Sequence, residues 1–198
     1  MYVVGRRDME SMDRYTIDAL GLPGAVLMEN AGSKVAEEVD RLHKAHNLSP
    51  DQPVVILAGH GNNGGDGFVA ARRLADMGYA VLLCLISSVE KLKGDALLHY
   101  EAYKRRKLPL WVWSEQLSGE LWAHLERAKV VVDALLGTGV QREVRSPYRE
   151  VIRWLNRHRE GKIILAVDLP SGLCADTGRI LGEAVQATHT VTMACPKK

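Results

Sequence analysis

The chain is poor in most features that mark a specialised protein class. Its three cysteines, Cys84, Cys174 and Cys195, are odd in number and far apart. They form no CxxC pair and no disulfide framework, which points to a reducing compartment, the cytoplasm. The seven histidines show no H-E-x-x-H or comparable spacing, so a zinc site is not expected. Long apolar runs are missing: the longest, Ala80–Ile86, is far too short to span a bilayer. The N-terminus lacks a basic stretch followed by an apolar one, so no signal peptide is expected. Charge of one sign is also lacking. With 26 Lys and Arg against 24 Asp and Glu, the formal net charge is +2, which makes no case for nucleic acid or a membrane surface. Lys104-Arg105-Arg106-Lys107 is the densest basic run. It reads as a solvated helix end, because a polyanion site needs a wider basic face. Internal repeats and low-complexity tracts are absent.

What is present suits one soluble globular domain over residues 1–198, since 46% of residues are hydrophobic and 25% charged. The first fifty residues read as two helices. Met9, Met12, Tyr15, Ile17 and Leu20 recur at near-helical spacing; Gly21 ends that segment and Pro23 opens the next. The second helix runs through Leu27, Ala31, Val35, Val39 and Leu42. Short apolar runs then follow at Val54–Ala58, Ala80–Ile86, Leu110–Trp113, Val130–Ala134, Ile163–Val167 and Thr190–Ala194. Several are apolar at every position, as in strands buried on both faces. Helix-length segments lie between them: Asp66–Met77, Lys93–Arg106, Gly119–Arg127 and Pro147–His158. Strands alternating with helices predict a mostly parallel open sheet in a three-layer α/β/α, Rossmann-like sandwich. Ligands of such sheets sit at the carboxyl ends of the strands.

Three loops at those ends carry the chemistry. The first, Gly59 to Gly67, matches GxGxxG between a strand and a helix, a pattern that approaches phosphates closely. Two details speak against an ordinary dinucleotide dehydrogenase. The second strand ends Leu85-Ile86-Ser87-Ser88, without the acidic residue expected about 20 residues on for a ribose. Asp66 at the helix start would cap the helix and repel a phosphate placed there. No Lys-Ser/Thr follows, so the run is not a P-loop. Asn62 and Asn63 either tolerate a left-handed turn or direct carbonyls at a ligand or cation.

The second loop begins Asp133-Ala134-Leu135-Leu136-Gly137-Thr138-Gly139. An acid near the end of a buried strand needs a salt bridge or a cation. Arg142 is placed to meet a phosphate. The third loop begins Asp168-Leu169-Pro170-Ser171-Gly172. Asp168 is either a turn cap or a general acid–base group in the crevice. Ser171 lacks a G-x-S-x-G elbow, which argues against a nucleophile, and Cys174 reads as a passive loop cysteine.

Taken together, these stretches resemble the NAD(P)HX epimerases, the YjeF N-terminal domain family. The matching segments run in family order: Met12-Asp13, Leu27-Met28-Glu29-Asn30-Ala31-Gly32, Gly61-Asn62-Asn63-Gly64-Gly65-Asp66-Gly67, Val132 to Gly139, and Asp168 to Gly172. Lys197 stands where the family has a lysine after its late strand. The resemblance implies a Rossmann-like fold, a homodimer, and interconversion of the R and S forms of hydrated NADH and NADPH as part of nicotinamide cofactor repair. It implies a partner dehydratase, fused or separate, that acts on the S form. It places substrate contacts on Asn62, Asn63, Gly64, Gly65 and Asp66, on Gly137, Thr138, Gly139, Val140, Gln141, Arg142 and Glu143, and on Asp168. It also implies one potassium ion per subunit, held through Asn63, Asp133 and Ser171. A hard monovalent cation suits those oxygen donors. Gln141 stands where some members have a lysine and is expected to make contact only.

The expected chemistry follows from the substrate. The C6 hydroxyl leaves as water with help from the ring nitrogen, and water returns to the opposite face. Asp168 is expected to act first as acid and then as base. Because the chain stops at Lys198 just past a strand, the resemblance further suggests a trimmed domain or the front part of a fusion. A non-catalytic member of the family, acting as a ligand-binding or protein-interaction scaffold, is the alternative; loss of Asp168 or of the Asn-Asn pair would favour it, and both are present.

Overall fold

The computed structural model describes residues 2–114 and 118–197. Helix α1, Arg6–Arg14, runs on into a π-helical turn at Tyr15–Ala19. Pro23 then opens α2, Gly24–Ala45. The remainder alternates: β1 Val54–Ala58, α3 Asn62–Asp76, β2 Val81–Leu85, α4 Gly94–Arg105, β3 Leu110–Val112, α5 Ser118–Arg127, β4 Val130–Ala134, α6 Tyr148–Arg157, β5 Ile163–Val167 and β6 His189–Val191.

The six strands among the described residues are all parallel, in the order β3-β2-β1-β4-β5-β6. This is the Rossmann-like three-layer sandwich read from the sequence. β1, β4 and β5 are buried at every residue, which accounts for their apolar runs, broken only by Asp133 in β4. Alternate residues feed two cores. Val54, Ile56 and Ala58 pack with Val35, Val39 and Leu42 of α2, Phe68 and Leu74 of α3, and Tyr100 and Tyr103 of α4. Val55 and Leu57 pack on the other face with Leu121 and Leu125 of α5 and Val151, Ile152 and Leu155 of α6. Phe68, fully buried and edge-on to Tyr100, is the kind of residue whose truncation to Ala costs about 3–5 kcal/mol.

Three expectations need adjusting. α3 begins at Asn62, four residues before the predicted Asp66. Asn62 to Asp66 is therefore the first turn of a helix, and the loop proper is only Gly59–Gly61. β6 occupies His189–Val191 and not Thr190–Ala194, because Met193 N–H turns away to a side chain and Ala194 takes a positive φ of 55°. In the first helical segment only Met9 is buried, whereas Met12, Tyr15, Ile17 and Leu20 are exposed.

The strand order reverses between β1 and β4, the outward-growing origins of the two half-sheets. Diverging connections leave a crevice at their carboxyl ends. The Gly59–Gly61 turn, the loop after β4 and the loop after β5 all open there.

Candidate functional site

A cleft of about 770 Å³ lies at this switch point. Its walls come from α1 (Met9, Asp13), α2 (Asn30, Ala31, Lys34), the first turn of α3 (Asn62, Asn63, Asp66), Leu135–Val140, Asp168 and Thr192–Ala194. A second pocket of about 420 Å³ adjoins it, shares Leu136, Gly139 and Val140, and adds Gln141–Arg145 and Tyr148. His60 of the first loop and Tyr148 connect the two pockets through a 2.8 Å hydrogen bond between His60 Nδ1 and the Tyr148 hydroxyl.

The glycine run owes its composition mainly to packing. A Cβ on Gly59 would collide with the carbonyl of Leu135, and one on Gly64 with the carbonyl of Gly59. Gly65 is filled by the Met28 thioether, while Gly61 faces open space. Of the expected substrate contacts, Asn62, Asn63, Asp66, Gly137, Thr138, Gly139, Val140 and Asp168 line the cleft. Gln141, Arg142 and Glu143 line the adjoining pocket. Gly64, buried against the Gly59 backbone, and Gly65, buried against Met28 of α2, line neither.

Asp168 holds a left-handed backbone conformation, φ 65°, with its N–H bonded to Val191 O at 2.7 Å. Its Oδ1 accepts from Met193 N–H at 3.0 Å and from the Lys197 ammonium. These two donors fix the direction in which the carboxyl points. Lys197 also donates to Met193 O at 2.8 Å, and its side chain is 1% exposed. Val4 N–H donates to Pro196 O at 2.9 Å, so the N-terminal segment straps the segment that carries Lys197. The strap also carries α1 with Asp13. Burial, followed by the charge of Asp168, raises the Asp13 carboxyl above the ordinary aspartate value, while Lys197 opposes the shift. Asp66 is pushed well above that value by burial and then by the charges of Asp168 and Asp13.

The other acid, Asp133, is fully buried. Ser171 answers it twice: Oγ–H donates to Oδ1 at 2.6 Å and N–H to Oδ2 at 2.8 Å, and Leu135 N–H adds a 3.3 Å bond. Burial still pushes the carboxyl up to about 6, against these donors. Ser171 Oγ in turn accepts from Leu136 N–H at 2.9 Å, so it is a buried structural hydroxyl and not an exposed nucleophile. Asn63 is 8% exposed, its side chain faces Gly137, and its buried Nδ2 has no partner among the described residues. One carboxylate, one hydroxyl and one side-chain amide thus gather around the Leu135–Gly137 turn. Their hard oxygen donors fit a monovalent cation of low charge density.

Sequence reasoning found Asp168, Asp133 and Asn63 but not their surroundings. The Lys197–Asp168 pair was signalled only by the position of a lysine. Lys34 and the His60–Tyr148 contact carried no pattern that a sequence window displays.

Comparison with known proteins shows which family the chain belongs to. The sequence profile described as YjeF-related protein N-terminus matches residues 24–198. The bifunctional NAD(P)H-hydrate repair enzyme Nnr of Salinibacter ruber is 40% identical over 198 residues, covering 96% of this chain and 35% of that protein. The chain therefore spans about a third of the length of such bifunctional relatives. The NAD(P)H-hydrate epimerase of Rhodopirellula baltica is 34% identical, covering 96% of this chain and 73% of its own. That of Limosilactobacillus reuteri is 35% identical, covering 98% and 85%. The crystal structure of yeast ynu0 (YNL200c) superposes with a TM-score of 0.88 at 27% identity, over all of this chain and 82% of that one. By its profile match, its relatives and its fold, the chain belongs to the YjeF-related protein N-terminus family.

Proposed function

We propose that the chain is an isomerase, an NAD(P)H-hydrate epimerase that interconverts the R and S hydrates of NADH and NADPH in nicotinamide cofactor repair. The observation that carries the reading is the carboxylate of Asp168, fixed on the cleft wall by Lys197 and Met193 N–H. Relatives that carry the epimerase name support it. At about 770 Å³ the cleft is within the usual range for small-molecule sites. The nicotinamide half would lie beside Asp168, with the rest of the dinucleotide running towards the pocket of Arg142. At C6 the carbon carries both the hydroxyl and a bond to the ring nitrogen. Protonation of that hydroxyl breaks the C6–O bond, the nitrogen lone pair forms an iminium, and water leaves. Water then adds to the other face and gives up its proton to a carboxylate.

Asn63, Asp133 and Ser171 would hold a potassium ion, which would supply fixed positive charge beneath the Leu135–Gly137 turn. The fully buried Asp133 carboxyl and Ser171 hydroxyl, with the Asn63 side chain beside Gly137, support this reading. A dehydratase, fused or separate, is the proposed consumer of the S form, in line with the bifunctional relatives. A homodimer is proposed as well: Tyr15, Leu20, Leu22 and Val26 leave apolar surface exposed around the α1–α2 junction. No described helix is long and apolar enough to cross a membrane, and the three cysteines are free, which suits a reducing compartment such as the cytoplasm.

The test supplies the R form of NADPHX to the purified chain and follows appearance of the S form by chromatography. Asp168→Asn is expected to fold and to leave the interconversion at its uncatalysed rate. Near-normal turnover by this variant overturns the reading.

A further inference from the structure

Three carboxyls, Asp13, Asp66 and Asp168, reach one cleft from three different elements. The ammonium of Lys197 is bonded to Asp168 alone among them. Glu10 and Asp95 also line the cleft, so five carboxyls face only the ammoniums of Lys34 and Lys197, and this crowding of negative charge favours keeping a proton on one carboxyl. The Lys197 ammonium bonded to Asp168 compensates charge there, and the other carboxyls lack that partner. Asp66 has no such partner among the described residues, and it is partly buried at the cleft wall. α2 crosses α3 at Gly32, where a Cβ would run into Val69 and the backbone oxygen of Asp66. That close crossing walls in the first turn of α3.

The chemistry makes a second group useful. Epimerisation removes oxygen from one face of a flat ring and returns it to the other. A single carboxylate would have to serve both faces, and Asp168 is tied by its two donors. Asp66 stands on the α3 wall and Asp168 at the end of β5.

We propose that Asp66 is a second catalytic residue, the acid that protonates the departing C6 hydroxyl while Asp168 is the base that takes the proton of the incoming water. In the R-to-S direction the Asp66 carboxyl gives its proton to the hydroxyl. The C6–O bond breaks, the nitrogen lone pair becomes the C6–N π bond, and water departs. A second water forms the new C6–O bond on the opposite face, the π pair returns to nitrogen, and Asp168 receives the proton. Asp66 has then lost one proton and Asp168 has gained one, and solvent exchange restores the starting state. The reverse reaction exchanges the two roles.

The inference rests on the proposed epimerase activity, and wild-type turnover tests that activity separately: a wild type that forms no S epimer refutes the activity itself. Given an active wild type, Asp66→Asn is the test. Asparagine resembles the protonated acid and removes repulsion from Asp13 and Asp168, so the variant is expected to unfold no earlier than wild type. The expected result is a fall in kcat on the order of 10²-fold with KM within about threefold, as for loss of a general acid. Asp66→Ala is expected to recover part of that rate when formate is added. Asp66→Asn turning over within about threefold of wild type overturns the proposal. So does a loss confined to KM, or an Asp66→Ala enzyme that formate leaves unchanged.

Discussion

The Lys197 ammonium is bonded to Asp168 Oδ1 inside a nearly solvent-free pocket, across 29 residues of sequence. Its other donations, to Met193 O and Thr192 Oγ1, fix where the ammonium sits and therefore where the carboxylate points. Lys197→Met keeps most of the stem and removes the charge. It is expected to lower kcat on the order of 10²-fold while KM changes little, because substrate contacts on Asn62 and Gly137 are untouched. Steady-state kinetics with both epimers measures the split. A variant whose KM alone rises would make Lys197 a substrate contact and not a positioning residue.

The packing role of the glycine run gives a contrast within three residues. Gly64→Ala puts a methyl group into the carbonyl of Gly59, and the backbone cannot yield cheaply. Overpacking of this kind costs about 1–3 kcal/mol. At this chain length that is roughly 2–12 °C in unfolding midpoint. Gly61→Ala meets nothing within 4 Å and its φ is −92°, so its midpoint should stay within about 2 °C of wild type. Thermal unfolding of the two variants side by side checks the contrast. Equal losses would mean that the run is fixed by conformation and not by contact.

The same residues show why some of this molecule could be read from its sequence and some could not. Val54–Ala58, Val130–Ala134 and Ile163–Val167 were found to the residue because burial on both faces leaves almost only apolar choices, Asp133 being the exception. The start of α3 was missed because Gly64 and Gly65 look like loop glycines, whereas tertiary contact with Gly59 and Met28 is what demands them. Asp133 was legible as an acid that needs an answer, and its answer, Ser171, lay in a segment already singled out. The identity of that answer was open because a salt bridge, a hydroxyl or a cation satisfies the same requirement locally. The strap of Val4 on Pro196, which brings Asp13 to the cleft, joins the two ends of the chain and leaves no local trace.

Potassium binding predicts a specific stabilisation. At equal ionic strength, potassium chloride should raise the unfolding midpoint above that in tetramethylammonium chloride. A hundredfold excess over Kd corresponds to about 2.7 kcal/mol. Asn63→Ala should abolish the difference, since Asn63 Oδ1 is one of the three proposed oxygen ligands. A potassium response that survives in Asn63→Ala would move the ion elsewhere.

Glu29 offers a pH test of the α2–α3 joint. Its Oε2 accepts from Arg72 and its Oε1 from Arg73 Nε at 2.8 Å, with His99 Nδ1 3.8 Å away. Burial alone would raise the carboxyl, but the hydrogen bonds and charges of Arg72 and Arg73 outweigh it and hold it below the ordinary value of 4.5. A carboxyl depressed in the folded state binds its proton more readily once unfolded. Its stabilisation is therefore complete above about 4.5 and is lost as pH falls through the lower folded value. Glu29→Gln keeps the shape and removes the charge. At pH 7 it should unfold roughly 3–6 °C below wild type, the scale of losing charge-assisted hydrogen bonds. As pH drops from 5 towards 3 the two midpoints should converge, because wild-type Glu29 then also becomes neutral. A gap that stays constant over that range would show that shape at the α2–α3 crossing, and not the charge of Glu29, holds the joint.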